Sequence, residues 1–164
     1  MKHTLIIFFS IIYCSTLCVA QKIDEPKTNA ISFELGKTGL IYNLTIDHKL
    51  KTKNVGFRLG VGSNLAKYLN AFSVGGGGYY LVGKTNHFLE LGLDMQYLTV
   101  DEVSDDQKGF ALVYPDYSIK TFYPSLNLGY RRYGKHTLFR IGFAPGLIKS
   151  GFVPGGYISF GVTF

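Results

Sequence analysis

Gly156-Tyr157-Ile158-Ser159-Phe160-Gly161-Val162-Thr163-Phe164 ends the sequence. Successive side chains of a strand point to opposite faces. Ile158, Phe160, Val162 and Phe164 therefore share one face, and Tyr157, Ser159, Gly161 and Thr163 share the other. An apolar face that finishes on a terminal aromatic carboxylate suits a closing strand with lipid in front and side chains or water behind. Phe160 and Phe164 carry that signal.

The same period of two recurs along the chain, in runs at roughly 30–36, 40–50, 55–63, 70–83, 86–98, 119–133 and 137–147, with 154–164 as the eighth. In the fifth run Leu89, Leu91, Leu93, Met95 and Tyr97 oppose Glu90, Gly92, Asp94 and Gln96. In the sixth, Phe122, Leu126, Leu128 and Tyr130 oppose Ser125, Asn127, Gly129 and Arg131. The second faces are rich in Gly, Ser and Asn, and they carry Arg58, Glu90, Asp94, Arg131 and Arg140. Small residues mixed with opposite charges suit a narrow interior, where glycine relieves crowding. The links also alternate. Those at 51–54, 84–85 and 134–136 are short, whereas 64–69, 99–118 and 148–153 are longer, as periplasmic turns and outer loops are. The first outer link, 37–39, is an exception and very short. The pattern predicts an all-β fold: an eight-stranded antiparallel up-and-down transmembrane β-barrel with a side-chain-filled interior. Tyr42, Tyr97 and Phe122 are expected near the outer rim, and Phe88, Tyr130, Tyr133 and Phe164 near the periplasmic rim, as two aromatic belts.

The beginning of the chain agrees with export. Lys2 and His3 precede an apolar run from Leu5 to Ile12, and Cys18-Val19-Ala20 makes a small-residue exit. Residues 1–20 are expected to be a cleaved signal peptide, 21–29 a flexible leader, and 30–164 the barrel domain. Cys14 and Cys18 leave with the signal, so the mature chain holds no thiol chemistry. No later segment has about 20 consecutive apolar residues, so a membrane form must be a closed barrel. The formal charge of +6 does not point to nucleic acid, because the lysines sit singly at turns of an exported chain.

Phe33-Glu34-Leu35-Gly36, Arg58-Leu59-Gly60-Val61-Gly62, Phe88-Leu89-Glu90-Leu91-Gly92, Tyr123-Pro124-Ser125-Leu126-Asn127-Leu128-Gly129-Tyr130-Arg131 and Phe139-Arg140-Ile141-Gly142-Phe143-Ala144-Pro145 follow one another in the chain. Together they resemble a family of small, mostly uncharacterised outer-membrane β-barrel proteins of Gram-negative bacteria. The resemblance spans nearly the whole mature chain. It implies a fold and an outer-membrane location, and no activity.

Two features remain as candidate sites. Arg58, Glu90, Asp94, Arg131 and Arg140 form an interior charge cluster, expected as an ionic plug. Its alternative is a narrow charge-lined channel. The loop 99–118 is long and carries Asp101, Glu102, Asp105 and Asp106 beside Tyr114 and Tyr117, a composition able to meet a surface partner. A lipid-modifying enzyme of the outer leaflet needs a base and a nucleophile together. His48, His87 and His136 fall at the short turns, away from Ser63, Ser104 and Ser118. No catalytic set, metal motif or cofactor is expected. A soluble lipocalin-like ligand-binding barrel is a further alternative, but the chain has no Trp for that family's opening motif. The expected partners are outer-membrane lipid, the barrel-assembly machinery during insertion, and an unidentified surface partner. The expected function is a non-enzymatic structural or surface-interaction role.

Overall fold

The structure is a computed structural model that describes residues 28–37, 42–51, 53–63, 71–100, 119–148 and 151–164. The expected signal peptide, most of the leader and nearly all of the 99–118 loop lie outside the described residues. The described residues form ten strands. They are β1 (Asn29–Gly36), β2 (Tyr42–Lys49), β3 (Val55–Ser63), β4 (Ala71–Lys84), β5 (His87–Val100), β6 (Ile119–Tyr133), β7 (Thr137–Phe143), β8 (Gly146–Ile148), β9 (Gly151–Val153) and β10 (Gly156–Thr163).

Eight of them make a closed antiparallel wall. Each strand from β1 to β6 pairs with the next, β7 pairs with β10, and β10 returns to β1 with Phe33 opposite Phe160. Closure joins the first and last of these eight strands, the condition for a sheet to exist in hydrocarbon. β8 and β9 are a small extra hairpin that continues the β7 wall outward. The seventh run, 137–147, is therefore two strands rather than one. Ala144 and Pro145 break it, because proline has no N–H to give to a ladder.

The burial pattern is that of a soluble protein turned inside out. Leu59 is 61% exposed, Leu93 65% and Phe122 65%, whereas Glu90, Arg131 and Arg140 are 0% exposed. The period-two reading of each face holds on the closing strand too, where Phe160 and Val162 face out and Tyr157, Ser159 and Thr163 face in. A soluble lipocalin-like barrel would need the opposite arrangement, so that alternative falls.

The aromatic belts need one correction. Tyr97, Phe122 and Tyr130 face outward, and so does Phe164, but Phe88 and Tyr133 are buried inside the barrel. Phe88 lies two residues from Glu90, and Tyr133 two from Arg131, so strand phase sends them inward with those charges. There they pack with Ala30, Tyr79, Leu81 and Leu138 into an apolar layer across the end that holds the short turns. Phe88 and Tyr133 meet edge to face, with ring centroids 5.9 Å apart.

Glycine in β4 serves the wall directly. A Cβ on Gly77 would run into the Asp94 carboxylate and the Leu93 carbonyl of β5. Gly77→Ala is expected to cost about 1–3 kcal/mol through overpacking. The check is a urea titration of the refolded barrel in lipid vesicles, which should show a lower midpoint than for the parent.

Candidate functional site

The interior above the apolar layer is an ion network built from six strands and one turn. Glu90 of β5 is its centre. Its carboxylate accepts hydrogen bonds from Arg58 Nη1 at 2.5 Å, Arg131 Nε at 2.6 Å and Arg140 Nη2 at 3.0 Å. Asp94 accepts from Arg58 Nε at 3.0 Å and from Asn127 Nδ2 at 2.9 Å, and it is paired with Lys37. Asp47 of β2 accepts from Arg131 Nη2 at 2.8 Å, across the lumen. Glu34 of β1 pairs with Arg140 Nη1 at 3.3 Å. Four carboxylates thus meet four cations, all of them buried. Buried charge is tolerated when opposite charge matches it, and hydrogen bonds reinforce the match at Asp47, Glu90 and Asp94.

Aromatic rings complete the packing. The Arg131 guanidinium lies 4.0 Å from the centre of the Tyr79 ring, whose hydroxyl donates to Asp47 Oδ1 at 2.5 Å. Arg140 lies 5.0 Å from the centre of the Tyr157 ring. These are cation–π contacts that also hold the long side chains in place.

Strand register explains how the charges reach one another. Arg58, Gly77 and Asp94 are consecutive partners across β3, β4 and β5. Arg140, Ser159 and Glu34 are consecutive partners across β7, β10 and β1. In both rows a small residue separates opposite charges, so the flanking side chains meet over it. Arg131 and Arg140 are direct register partners, and like charges so placed repel. Glu90 resolves that conflict because it bonds both guanidinium groups at once.

The five cluster residues read from the sequence, Arg58, Glu90, Asp94, Arg131 and Arg140, are therefore in mutual contact through Glu90 and Asp94. Glu34, Lys37, Asp47 and Tyr79 belong with them and were not anticipated. Glu34 and Asp47 lie on the inward phase of their strands, a signal present in the sequence. Lys37 does not. It sits just past β1 with φ of 62°, and that left-handed turn folds its side chain back into the lumen. Asp101, Glu102, Asp105, Asp106, Tyr114 and Tyr117 lie outside the described residues. Thr99 and Val100, placed with that loop by the sequence reading, are the end of β5.

A closed eight-stranded barrel with charges inside and apolar side chains outside is a transmembrane barrel of the outer-membrane type, and the outer membrane is its location. No protein-family model matches the chain, and no curated relative is found by sequence. Solved structures do resemble it. The crystal structure of Ail, the attachment invasion locus protein of Yersinia pestis, in complex with the heparin analogue sucrose octasulfate, has a TM-score of 0.50 at 11% identity, covering 86% of this chain and 100% of that one. Neisserial surface protein A has a TM-score of 0.46 at 13% identity, covering 88% of this chain and 100% of that one. At such identity the first of these likenesses speaks to the fold.

Proposed function

We propose that the protein is a non-enzymatic outer-membrane barrel that acts through its outward-facing end, in a structural or surface-interaction role. The observation that carries this reading is the filled lumen. Arg131, Arg140 and Glu90 are fully buried across its middle, and the layer of Leu81, Phe88, Tyr133 and Leu138 lies beneath them. An interior of this width is filled by side chains, which leaves the ends to meet partners. The name of Ail as an attachment invasion locus protein supports a surface role for the fold.

The loop 99–118 is the surface proposed to do this. Its five carboxylates are unsuited to a polyanion such as the heparin analogue bound to Ail, and they favour a positively charged partner surface. Two measurements test the reading. The purified barrel in planar bilayers is expected to give no discrete current steps, and Glu90→Ala or Arg131→Ala is expected to give none of defined selectivity. Proteoliposomes carrying the intact barrel are expected to adhere to a lysozyme-coated surface at least several-fold more than those carrying a barrel with 101–118 replaced by a short turn. Ion-selective steps that change with those substitutions would support the channel instead. Lipid A acylation lost on gene deletion and restored by the intact gene would support the enzyme.

A further inference from the structure

The barrel wall changes strand on the outer half of the β6–β7 seam, where β8 takes over from β7 beside β6. The β6–β7 ladder runs from Tyr133 opposite Leu138 to Leu128 opposite Phe143 and stops there. In the same register the Leu126 N–H then reaches the Pro145 carbonyl, at 2.9 Å, and Ser125 stands opposite Gly146 of β8. The β8–β9 hairpin then carries Leu147 and Phe152 outward. Between this hairpin and the outward rows of β5 and β6 lies a groove of about 280 Å³ whose walls include Leu93, Pro124, Leu126, Pro145, Leu147 and Phe152.

Two features mark the groove as built for an apolar occupant. First, the chain has prolines on both of its banks. The Leu126 N–H points across the seam, and alternation along β6 aims position 124 the same way. Proline there leaves no N–H to go unsatisfied, and Pro145 on the opposite bank also has none. The groove floor thus carries no stranded backbone donor at either proline. Second, the groove is continuous with the lipid-facing surface, since Leu93 and Leu126 belong to the outward rows of β5 and β6. Lys120 stands on the same outward row as Phe122, Pro124 and Leu126, exposed at the outer end of β6. At strand rise it lies about 13 Å above Pro124.

We infer that this seam seats one acyl chain of a phosphorylated glycolipid of the outer leaflet, lipid A, with Lys120 holding a headgroup phosphate. The chain end fills the groove between Leu126 and Leu147. The ammonium meets the phosphate where the strand leaves the hydrocarbon.

The absence of tryptophan from the sequence allows a direct test. Phe152→Trp places a reporter on the groove, and Val74→Trp places one on the outward face of β4, away from the seam. Both replace outward-facing apolar side chains, and a heat-modifiable gel band confirms folding. Each full barrel is put into vesicles of brominated phosphatidylcholine, and unbrominated lipid A is titrated in. The groove reporter is expected to escape quenching at a lipid A mole fraction about 10-fold lower than the β4 reporter. Lys120→Gln is expected to bring the two curves together. Parallel curves in the parent background would overturn the inference and leave ordinary boundary lipid. Equal relief by unbrominated phosphatidylethanolamine would overturn the choice of lipid A in favour of a phospholipid. Selectivity that survives Lys120→Gln would overturn the phosphate contact.

Discussion

Glu90→Ala is expected to be the most damaging single substitution in the barrel, with a loss of about 3–5 kcal/mol. The wild-type carboxylate takes hydrogen bonds from Arg58, Arg131 and Arg140. Without it, three guanidinium groups and Lys37 face only Glu34, Asp47 and Asp94, and the interior holds an uncompensated positive charge. Arg131 and Arg140, direct register partners, would then repel one another without a shared counterion. The measurement is the fraction of compact, heat-modifiable band across a urea series in vesicles. A double variant, Glu90→Met with Arg131→Met, should recover part of the loss, because removing a buried pair is milder than breaking one. A Glu90→Ala barrel within 1 kcal/mol of the parent would show that the network is not what holds the interior together.

The second large effect lies on the other face of the wall. Leu59 is 61% exposed near the middle of β3, with Ile46 and Gly76 opposite it. Leu59→Arg is expected to cost about 2–4 kcal/mol in a lipid bilayer, the range for a charge on the lipid face near the midplane. Ser63→Arg, at the outer end of the same strand, should cost less than half as much, because charge tolerance rises toward the interface. Paired urea titrations of the two variants in the same vesicles give the comparison. A barrel whose apolar face met water would instead gain solubility from Leu59→Arg at little cost in stability.

Much of the wall was legible because the lipid face and the lumen face differ so sharply in chemistry. Period two is then visible even without an alignment, and it placed Arg58, Glu90, Asp94, Arg131 and Arg140 on one side of the wall. The contacts between them were less legible. Asp47 has Arg58 as its register partner on β3, yet it bonds Arg131 from the far side of the lumen. Linear order reports neighbours along the sheet, whereas barrel curvature decides which side chains meet across it. Phe88 and Tyr133 were misread for a different reason. Aromatic identity at a strand end suggested a membrane belt, but two-residue phase with Glu90 and Arg131 overrode it. Lys37 depended on a single left-handed turn, which composition does not announce. The break at Pro145 was visible as a residue, but the hairpin it creates needed the β6 partner at Ser125.

The small spacers in the ladder rows and the cross-lumen bonds bear on how fast the barrel comes apart. Asp47 and Arg131 are 84 positions apart in the chain, and Glu34 meets Arg140 only through the row that passes over β10. Such bonds form after β1 and β10 have met, so they add little to the early steps of assembly. Interactions that mature late slow escape from the native state more than they hasten arrival. The network is thus a latch on the finished barrel, one that lengthens its lifetime in the membrane while leaving its insertion to the apolar face.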